Sequence, residues 1–232
     1  MKVALLAALN EERRARRAAV VETRLGEADA EPRLVTQATL STDPRRQEIE
    51  RVLRSGKAQT IETADGPFFL NVHLPAPRLV VIGAVHVSQA IAPMARIAGY
   101  EVEIIDPRTA FASPERFAGV PLDAEWPERV LQRRPLDPYC ALVAVTHDPK
   151  IDDFPIEAAL RAGSFYVGAL GSRKTHAKRV ERLLAAGVGQ ESLDRIDAPI
   201  GLDIGAATPG EIAVSVLGAV IAAFRQRDLG GR

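Results

Sequence analysis

Residues 77–108 constrain the fold of this chain more than any other stretch. The apolar run 79–82 ends at Gly83, and such runs are typical of strands buried on both faces of a parallel sheet. Apolar residues then recur at helical spacing as far as Gly99, and a second apolar run ends at Asp106. Strand, glycine turn, helix, strand and acid, in this order, open a nucleotide-binding α/β domain.

The composition excludes several classes of protein. The chain has 232 residues, 47% of them hydrophobic, and a formal net charge of zero, which gives no general attraction for nucleic acid or membrane surfaces. No apolar run reaches the roughly 18 residues of a membrane span. The single cysteine, Cys140, excludes an internal disulfide and predicts a cytoplasmic protein, and its place in an apolar run makes it a core residue.

The first 75 residues predict a small α/β domain. Residues 2–16 form an amphipathic helix rather than an export signal, and strands are expected at 17–25, 33–39, 59–63 and 68–73. Asp43-Pro44 predicts a helix start and Gly56 its end, while Asp65-Gly66 predicts a hairpin. Two prolines at 75 and 77 mark the border, so we expect domains at 1–75 and 76–232.

The second domain continues the alternation of strands and helices. Helices are predicted to start at 113–115 and to lie within 122–133, within 152–163 and in a basic segment after Gly171, and strands are predicted to span 140–145 and 164–167. A capping box at 208–211 predicts the start of a last long helix. The predicted fold is α/β: a parallel sheet with helices on both faces, preceded by the small α/β domain.

Four conspicuous loops each follow a predicted strand. They span residues 83–86, 106–108, 146–148 and 168–173. Because the carboxyl ends of parallel strands meet at one edge of the sheet, these loops should lie together, where ligands of such sheets bind. We therefore predict one pocket for a small anionic ligand at this edge.

Two of these loops form the opening of the nucleotide-binding pattern. Gly83, Ala84 and His86 lie at a helix start, whose free N–H groups and dipole favour a phosphate, although Val85 replaces the second glycine of the usual motif. Asp106 stands where a ribose-binding acid is expected, and Arg108 offers a planar fork of donors. A plain strand-to-helix turn and a solvated arginine are the alternatives.

The other two loops carry polar and glycine residues. His147 and Asp148 could transfer protons or hold a ligand, or could simply form a turn before Pro149. The loop at 168–173 is the sharpest anion-binding candidate; its glycines allow close approach, Ser172 can cap the next helix, and Arg173 adds charge. The alternative is a solvated basic face formed by the residues that follow, namely His176, Lys178, Arg179 and Arg182. The scattered histidines give no metal-binding spacing, and we expect no metal site.

Five blocks of the sequence resemble the XdhC/CoxI family, the accessory proteins of xanthine dehydrogenase, carbon monoxide dehydrogenase and related molybdenum hydroxylases. The resemblance covers about residues 77–226 and lies in blocks 80–86, 106–108, 146–148, 166–173 and 199–215. It implies a Rossmann-like domain that binds molybdenum cofactor, as molybdopterin or its dinucleotide form, and delivers it to an apo molybdenum hydroxylase. It implies a non-catalytic binding and insertion protein, with a cysteine desulfurase as a second candidate partner and a homodimer as a candidate state.

The matching motif positions supply the expected ligand residues. They are Gly83, Ala84, His86, Asp106, Arg108, His147, Asp148, Gly168, Gly171, Ser172 and Arg173. The alternatives are an NAD(P)-dependent oxidoreductase on the same fold and a nucleotide-sensing or structural partner within a larger assembly. The missing second glycine at Val85 and the lack of an evident proton donor disfavour the oxidoreductase.

Overall fold

The computed structural model describes residues 3–27 and 30–226. They divide into two compact units: one comprises the chain up to Pro75 with the last described residues, and the larger one is Ala76–Phe224. That 1–75 and 76–232 each fold as an independent domain stays a prediction. In the described part of the chain, no helix is long and apolar enough to cross a membrane.

The smaller unit is built on a four-stranded antiparallel sheet in the order β2-β1-β4-β3. Its elements are α1 (Val3–Arg14), β1 (Ala19–Arg24), β2 (Arg33–Thr36), α2 (Gln37–Leu40), α3 (Arg46–Ser55), β3 (Gln59–Thr63) and β4 (Gly66–His73). The hairpin at Asp65-Gly66 is confirmed, since β3 and β4 pair from Thr63 and Gly66 outward. Val20, Ile49 and Leu70 are fully buried between the sheet and α3.

Two boundaries in this unit differ from the sequence prediction. The strand predicted over 33–39 ends at Thr36. The N–H of Thr36 donates to Thr39 Oγ1 (3.1 Å), and the chain turns into α2. The helix predicted from Asp43-Pro44 begins only at Arg46. Asp43 uses its carboxylate for the N–H of Arg45 (2.9 Å) and for the Arg33 guanidinium (2.6 Å), so it shapes the preceding turn.

The larger unit is built on a six-stranded parallel sheet in the order β10-β9-β8-β5-β6-β7. Its strands are β5 (Arg78–Ile82), β6 (Glu101–Ile105), β7 (Leu122–Asp123), β8 (Cys140–Ala144), β9 (Tyr166–Ala169) and β10 (Ile196–Asp197). Its helices are α4 (His86–Ile97), α5 (Pro127–Arg133), α6 (Pro149–Arg161), α7 (Arg173–Ala185), α8 (Gln190–Leu193) and α9 (Pro209–Gln226).

This strand order is that of a Rossmann fold. From β5 the chain moves outward through β6 to β7, then returns to add β8 on the other side of β5. The direction of winding therefore reverses between β5 and β8, where Ile82 lies beside Ala144. In sheets of this kind, ligands bind in the crevice beyond the strand ends at this switch point.

Both faces of the parallel sheet are covered by helices, as predicted. Alternate residues of β5 enter two separate cores: Leu79 and Val81 pack on the face that carries α4 and α9, while Val80 and Ile82 pack on the face that carries α5, α6 and α7. Strand side chains alternate between faces, so an unbroken apolar strand indicates burial on both sides. Cys140 is fully buried, and burial raises the pKa of its thiol to about 12, which confirms a core residue.

Several predicted elements of this unit need correction. The helix predicted at 113–115 is wrong; the segment forms successive turns, in which Arg116 donates to the carbonyls of Ala84 (3.1 Å) and Phe111 (2.7 Å). The helix predicted within 122–133 is present from Pro127, and the residues before it differ only in that Leu122 pairs with Ile104 as a strand. The helix predicted over 152–163 begins at Pro149, capped by the carboxylate of Asp148.

Candidate ligand-binding site

The β5–α4 turn is pressed against the end of β8. Gly83 has φ +118°, a left-handed conformation that favours glycine. A Cβ atom added to Gly83 would lie 2.9 Å from Thr146 Cγ2 and 3.3 Å from the Thr146 nitrogen. Glycine at position 83 therefore lets the turn adopt a left-handed conformation. It also lets the turn approach Thr146 closely, beside the switch point between β5 and β8.

Asp106, at the end of β6, fastens this turn. Its fully buried carboxylate accepts the N–H of Ala84 (2.7 Å), the N–H of Arg108 (2.9 Å) and two guanidinium bonds from Arg108 (2.8 and 2.9 Å). Burial alone would raise the pKa of Asp106, but the Arg108 side chain and the two N–H groups together lower it. Both oxygens serve protein donors, so Asp106 positions the turn and Arg108.

Arg108 links the 106–108 loop electrostatically to the 146–148 loop. Its guanidinium lies 4.5 Å from the ring centre of Phe111 and is partly exposed. The hydrogen bonds to Asp106 raise the pKa of Arg108, and the charges of Asp152 and Asp148 raise it further. The carboxylates that follow β8 are therefore close enough to interact electrostatically with this guanidinium.

The 146–148 loop is held from within. The Thr146 hydroxyl donates to Asp152 Oδ1 (2.7 Å) and accepts the N–H of Asp148 (3.0 Å), while Asp148 Oδ1 accepts the N–H of Lys150 (3.0 Å) and caps α6. Between them His147 has φ +64°, a conformation uncommon for a residue with a side chain. The exposed His147 imidazole is thus carried on a bend that its neighbours fix on both sides.

The two glycines of the predicted 168–173 loop have different roles. Gly168 lies inside β9 rather than after it, and a Cβ atom there would lie 2.7 Å from Ile200 and from Tyr166, so this buried glycine is explained by packing. Gly171 has φ +135°, and Ser172 Oγ accepts the N–H of Thr175 (3.2 Å), which confirms the predicted cap of α7. Arg173, at the first position of α7, is exposed.

Sequence reasoning missed a pocket of about 220 Å³ between α6 and α7. It is lined by His147, Pro149, Asp152, Asp153, Lys174, Thr175, Lys178, Arg179 and Arg182. The assignment of Arg179 to a solvated basic face is wrong, because Arg179 is only 2% exposed. The available signal was its spacing: Arg179 lies one turn before Leu183, the other buried residue of α7.

Asp152 and Arg179 are the buried charged groups of this pocket. Burial raises the pKa of Asp152 to about 6, although the Thr146 hydroxyl and the charge of Arg179 oppose the shift. Burial also lowers the pKa of Arg179. Asp152 Oδ2 and Arg179 Nε and Nη1 have no hydrogen-bond partner among the described residues.

The structure brings most of the predicted residues to the same edge of the sheet. Gly83 contacts the 146–148 loop, and the 168–173 loop joins β8 through the Leu170 N–H, which donates to the Ala144 carbonyl (2.8 Å). Exposed His86 begins α4 at the same edge. Within 3–27 and 30–226, no cluster of three or more His, Cys, Asp or Glu residues could hold a metal ion.

Comparison with protein families now identifies this arrangement. Residues 79–220 match the family model of the XdhC Rossmann domain. The chain belongs to the XdhC family. Every loop of the candidate site lies within the matched residues.

Two curated relatives carry names that describe molybdenum enzymes or their assembly. One, from Bacillus subtilis (strain 168), is named as a probable xanthine dehydrogenase subunit; it is 31% identical over 176 residues, which make up 75% of this chain and 51% of the relative. The other is the molybdenum cofactor insertion chaperone PaoD of Escherichia coli (strain K12); it is 31% identical over 146 residues, which make up 63% of this chain and 40% of the relative. This XdhC-family chain thus spans about half or less of these relatives.

A solved structure supports the fold. A crystal structure described as a xanthine dehydrogenase from Bacillus halodurans aligns with 98% of this chain and 66% of its own, with a TM-score of 0.66 and 22% identity. The likeness extends over both units of this XdhC-family chain, including the part before residue 79. At this identity it shows the fold alone.

Proposed function

We propose that this chain is a maturation factor that binds molybdenum cofactor at the carboxyl edge of its parallel sheet and delivers it to a molybdenum hydroxylase. One observation carries the proposal: an XdhC-family chain, similar to an insertion chaperone, gathers its strand-end loops at the switch point of a Rossmann sheet. That is the place where open α/β sheets bind nucleotides and related ligands.

The chemistry of the edge fits an anionic pterin ligand. Molybdopterin carries a phosphate, and two helices, α4 and α7, begin at this edge with N–H groups that favour negative charge. Arg108 and Arg173 add guanidinium groups, and Gly83 and Gly171 allow the backbone to come close. The proposed ligand residues are those predicted from the sequence apart from Gly168, whose position inside β9 is explained by packing, and Asp106 holds Ala84 and Arg108 in place.

In this role the chain's own residues bind and orient rather than react. The Asp106 bonds to the turn fix the N–H groups at the start of α4, and the Thr146 and Asp148 bonds fix His147 at the rim. A rigid set of donors lowers the ordering cost of binding an anion. The cofactor would bring its own redox chemistry to the recipient enzyme.

The test is to isolate the full chain from cells that make molybdenum cofactor and to identify the bound small molecules by mass spectrometry. We expect a molybdenum-containing pterin, and transfer from the loaded protein should activate an apo molybdenum hydroxylase. Arg108→Ala should reduce the bound pterin at least tenfold, whereas Arg161→Ala, an exposed change on α6, should not.

Two outcomes would contradict the proposal. One is NAD(P) at full occupancy together with hydride transfer to a substrate. The other is loaded protein that never transfers its pterin to any apo-hydroxylase. A cysteine desulfurase partner, a homodimer and a cytoplasmic location stay predictions, which co-purification, light scattering and cell fractionation can test.

A further inference from the structure

The pocket between α6 and α7 is the least explained feature of the sheet edge. It lies at the ends of β8 and β9, one strand further along the sheet than the switch point, and His147 forms part of its wall. Its two helices contribute different chemistry: α6 supplies Asp152 and Asp153, whereas α7 supplies four basic residues. Those four are Lys174, Lys178, Arg179 and Arg182.

Arg179 supplies the observation that points to a ligand. The residue is 2% exposed, yet only its Nη2 atom has a protein partner, the Leu170 carbonyl at 3.2 Å. Its Nε and Nη1 atoms have no acceptor among the described residues. Burying a guanidinium with unmet donors is costly, and an anion in the pocket would satisfy them with strong charge-assisted bonds.

The other charges leave the pocket positive. Arg182 is already paired with Asp153 through two bonds (2.6 and 3.0 Å), so these two charges offset one another. Lys174 and Lys178 are exposed, and together with Arg179 they face the single carboxyl group of Asp152. The α7 amino end, capped by Ser172, adds further positive potential.

The size of the pocket limits what can enter it. Its volume of about 220 Å³ lies below the roughly 300–1,000 Å³ of sites that enclose whole small molecules, and corresponds to about seven waters. One charged group fits, with the rest of the molecule outside. A guanidinium donates charge-assisted bonds to phosphate oxygens, and Nε and Nη1 are the donors of Arg179 that have no acceptor among the described residues.

We propose that the α6–α7 pocket binds the phosphate group of a phosphorylated small molecule, held by Arg179 from within and by Lys174 and Lys178 at the rim. Asp152 lies beside this group, and in its acid form the unpartnered Oδ2 can donate to a phosphate oxygen. The identity of the whole ligand rests on the proposed function. The anion site itself rests only on the pocket.

The test is calorimetric titration of the full chain, at low salt, with inorganic phosphate and with ribose 5-phosphate as a simple phosphomonoester. Both should bind the wild type. Arg179→Gln should weaken both at least tenfold, because it removes a charge-assisted contact. Lys178→Gln should weaken both severalfold without endangering the fold, since Lys178 is exposed. Arg161→Gln, also a lost arginine charge but on the outer part of α6, is the matched control and should bind normally.

Each contrary result is decisive. Failure of the wild type to bind either probe at millimolar concentration, or unchanged binding in both pocket variants, overturns the site. If the pocket binds inorganic phosphate but not ribose 5-phosphate, it does not hold the phosphate group of a ligand whose remainder lies outside the pocket. Phosphate binding without any copurified pterin would leave the site standing and count against the cofactor-delivery role, so the two proposals fail separately.

Discussion

At Gly83 two physical constraints act on one backbone position. The φ angle of +118° disfavours any side chain, and the space that a side chain needs is filled by Thr146. Gly99 has a similar positive φ of +89°, but a Cβ atom there meets nothing within 4 Å. Substitution at Gly99 therefore tests the energetic cost of a left-handed backbone alone, whereas substitution at Gly83 adds the cost of a steric clash with Thr146.

Alanine at each position should measure this difference. Gly99→Ala should lower the free energy of unfolding by about 1–2 kcal/mol, the cost of a left-handed residue. Gly83→Ala should lower it by at least about 1 kcal/mol more, because the turn must also move away from Thr146. Urea denaturation of both variants provides the measurement. Equal losses of unfolding free energy would show that the turn does not depend on its close approach to Thr146.

Asp152 should make stability depend on pH. Its folded pKa of about 6 lies above its usual value near 3.8, so the folded state keeps a proton that the unfolded state releases. The stabilisation from protonated Asp152 is fully present below the unfolded pKa. It is lost as the pH rises through the folded pKa. Asp152→Asn does not ionise, so its stability relative to wild type should rise by up to about 3 kcal/mol between about pH 4 and about pH 7.

Denaturation of wild type, Asp152→Asn and the exposed control Asp203→Asn across this range tests that expectation. The control should follow the wild type at every pH. A stability difference between wild type and Asp152→Asn that does not change with pH would mean that Asp152 titrates as an ordinary exposed carboxylate.

At the scale of elements, one carboxylate links β6 to the β5–α4 turn. Asp106→Asn leaves one acceptor oxygen in place of two and turns an NH₂ group towards protein donors, so unfolding free energy should fall by about 2–3 kcal/mol at neutral pH. The folded pKa of Asp106 is lowered, so its stabilisation is present above the unfolded pKa and is lost as pH falls through the folded one. The gap between wild type and variant should therefore narrow in acid.

Thermal unfolding followed by circular dichroism at neutral and acidic pH measures both effects. Asp194→Asn, at an exposed position beyond α8, is the control and should change stability little. A gap that persists undiminished in acid would indicate that shape, and not charge, accounts for the effect of Asp106.

The elements that sequence could predict are those whose signals are local. The α4 helix ends beside Gly99, β8 is an unbroken apolar run, and the 208–211 capping box is present, with the Glu211 N–H donating to Thr208 Oγ1 (3.2 Å). The prediction of a helix start at Ser113-Pro114 failed because Arg116 donates to the Ala84 carbonyl, a contact across 32 residues that no local pattern contains. The part of the site formed by loops that follow the strands could be predicted, because parallel strands end at the same edge of the sheet.

The pocket between the helices could not be predicted in the same way. The spacing of Arg179 to Leu183 places it on the buried side of α7, but only packing against α6 shows that this side lines a pocket rather than an apolar core. Asp152 likewise shows nothing unusual until Thr146 bonds to it. Tertiary contact assigns different environments to residues of the same type, which a single sequence does not encode locally.

For the whole molecule, the larger unit contains two complete apolar cores of its own, one on each face of its sheet. We therefore expect residues 76–226 to fold when produced alone. They should unfold in one cooperative transition and keep the near-ultraviolet circular dichroism of packed aromatic residues. A noncooperative transition, or loss of that signal, would show that the domain needs the preceding 75 residues.

His147 combines an unfavourable backbone with a place at the rim of the α6–α7 pocket. Its left-handed backbone would be easier for glycine, and its imidazole belongs to the pocket wall. Glycine at this position would therefore relax the bend and at the same time remove one side of the wall. Stabilising this loop and keeping the pocket closed on that side are thus opposing demands on a single residue.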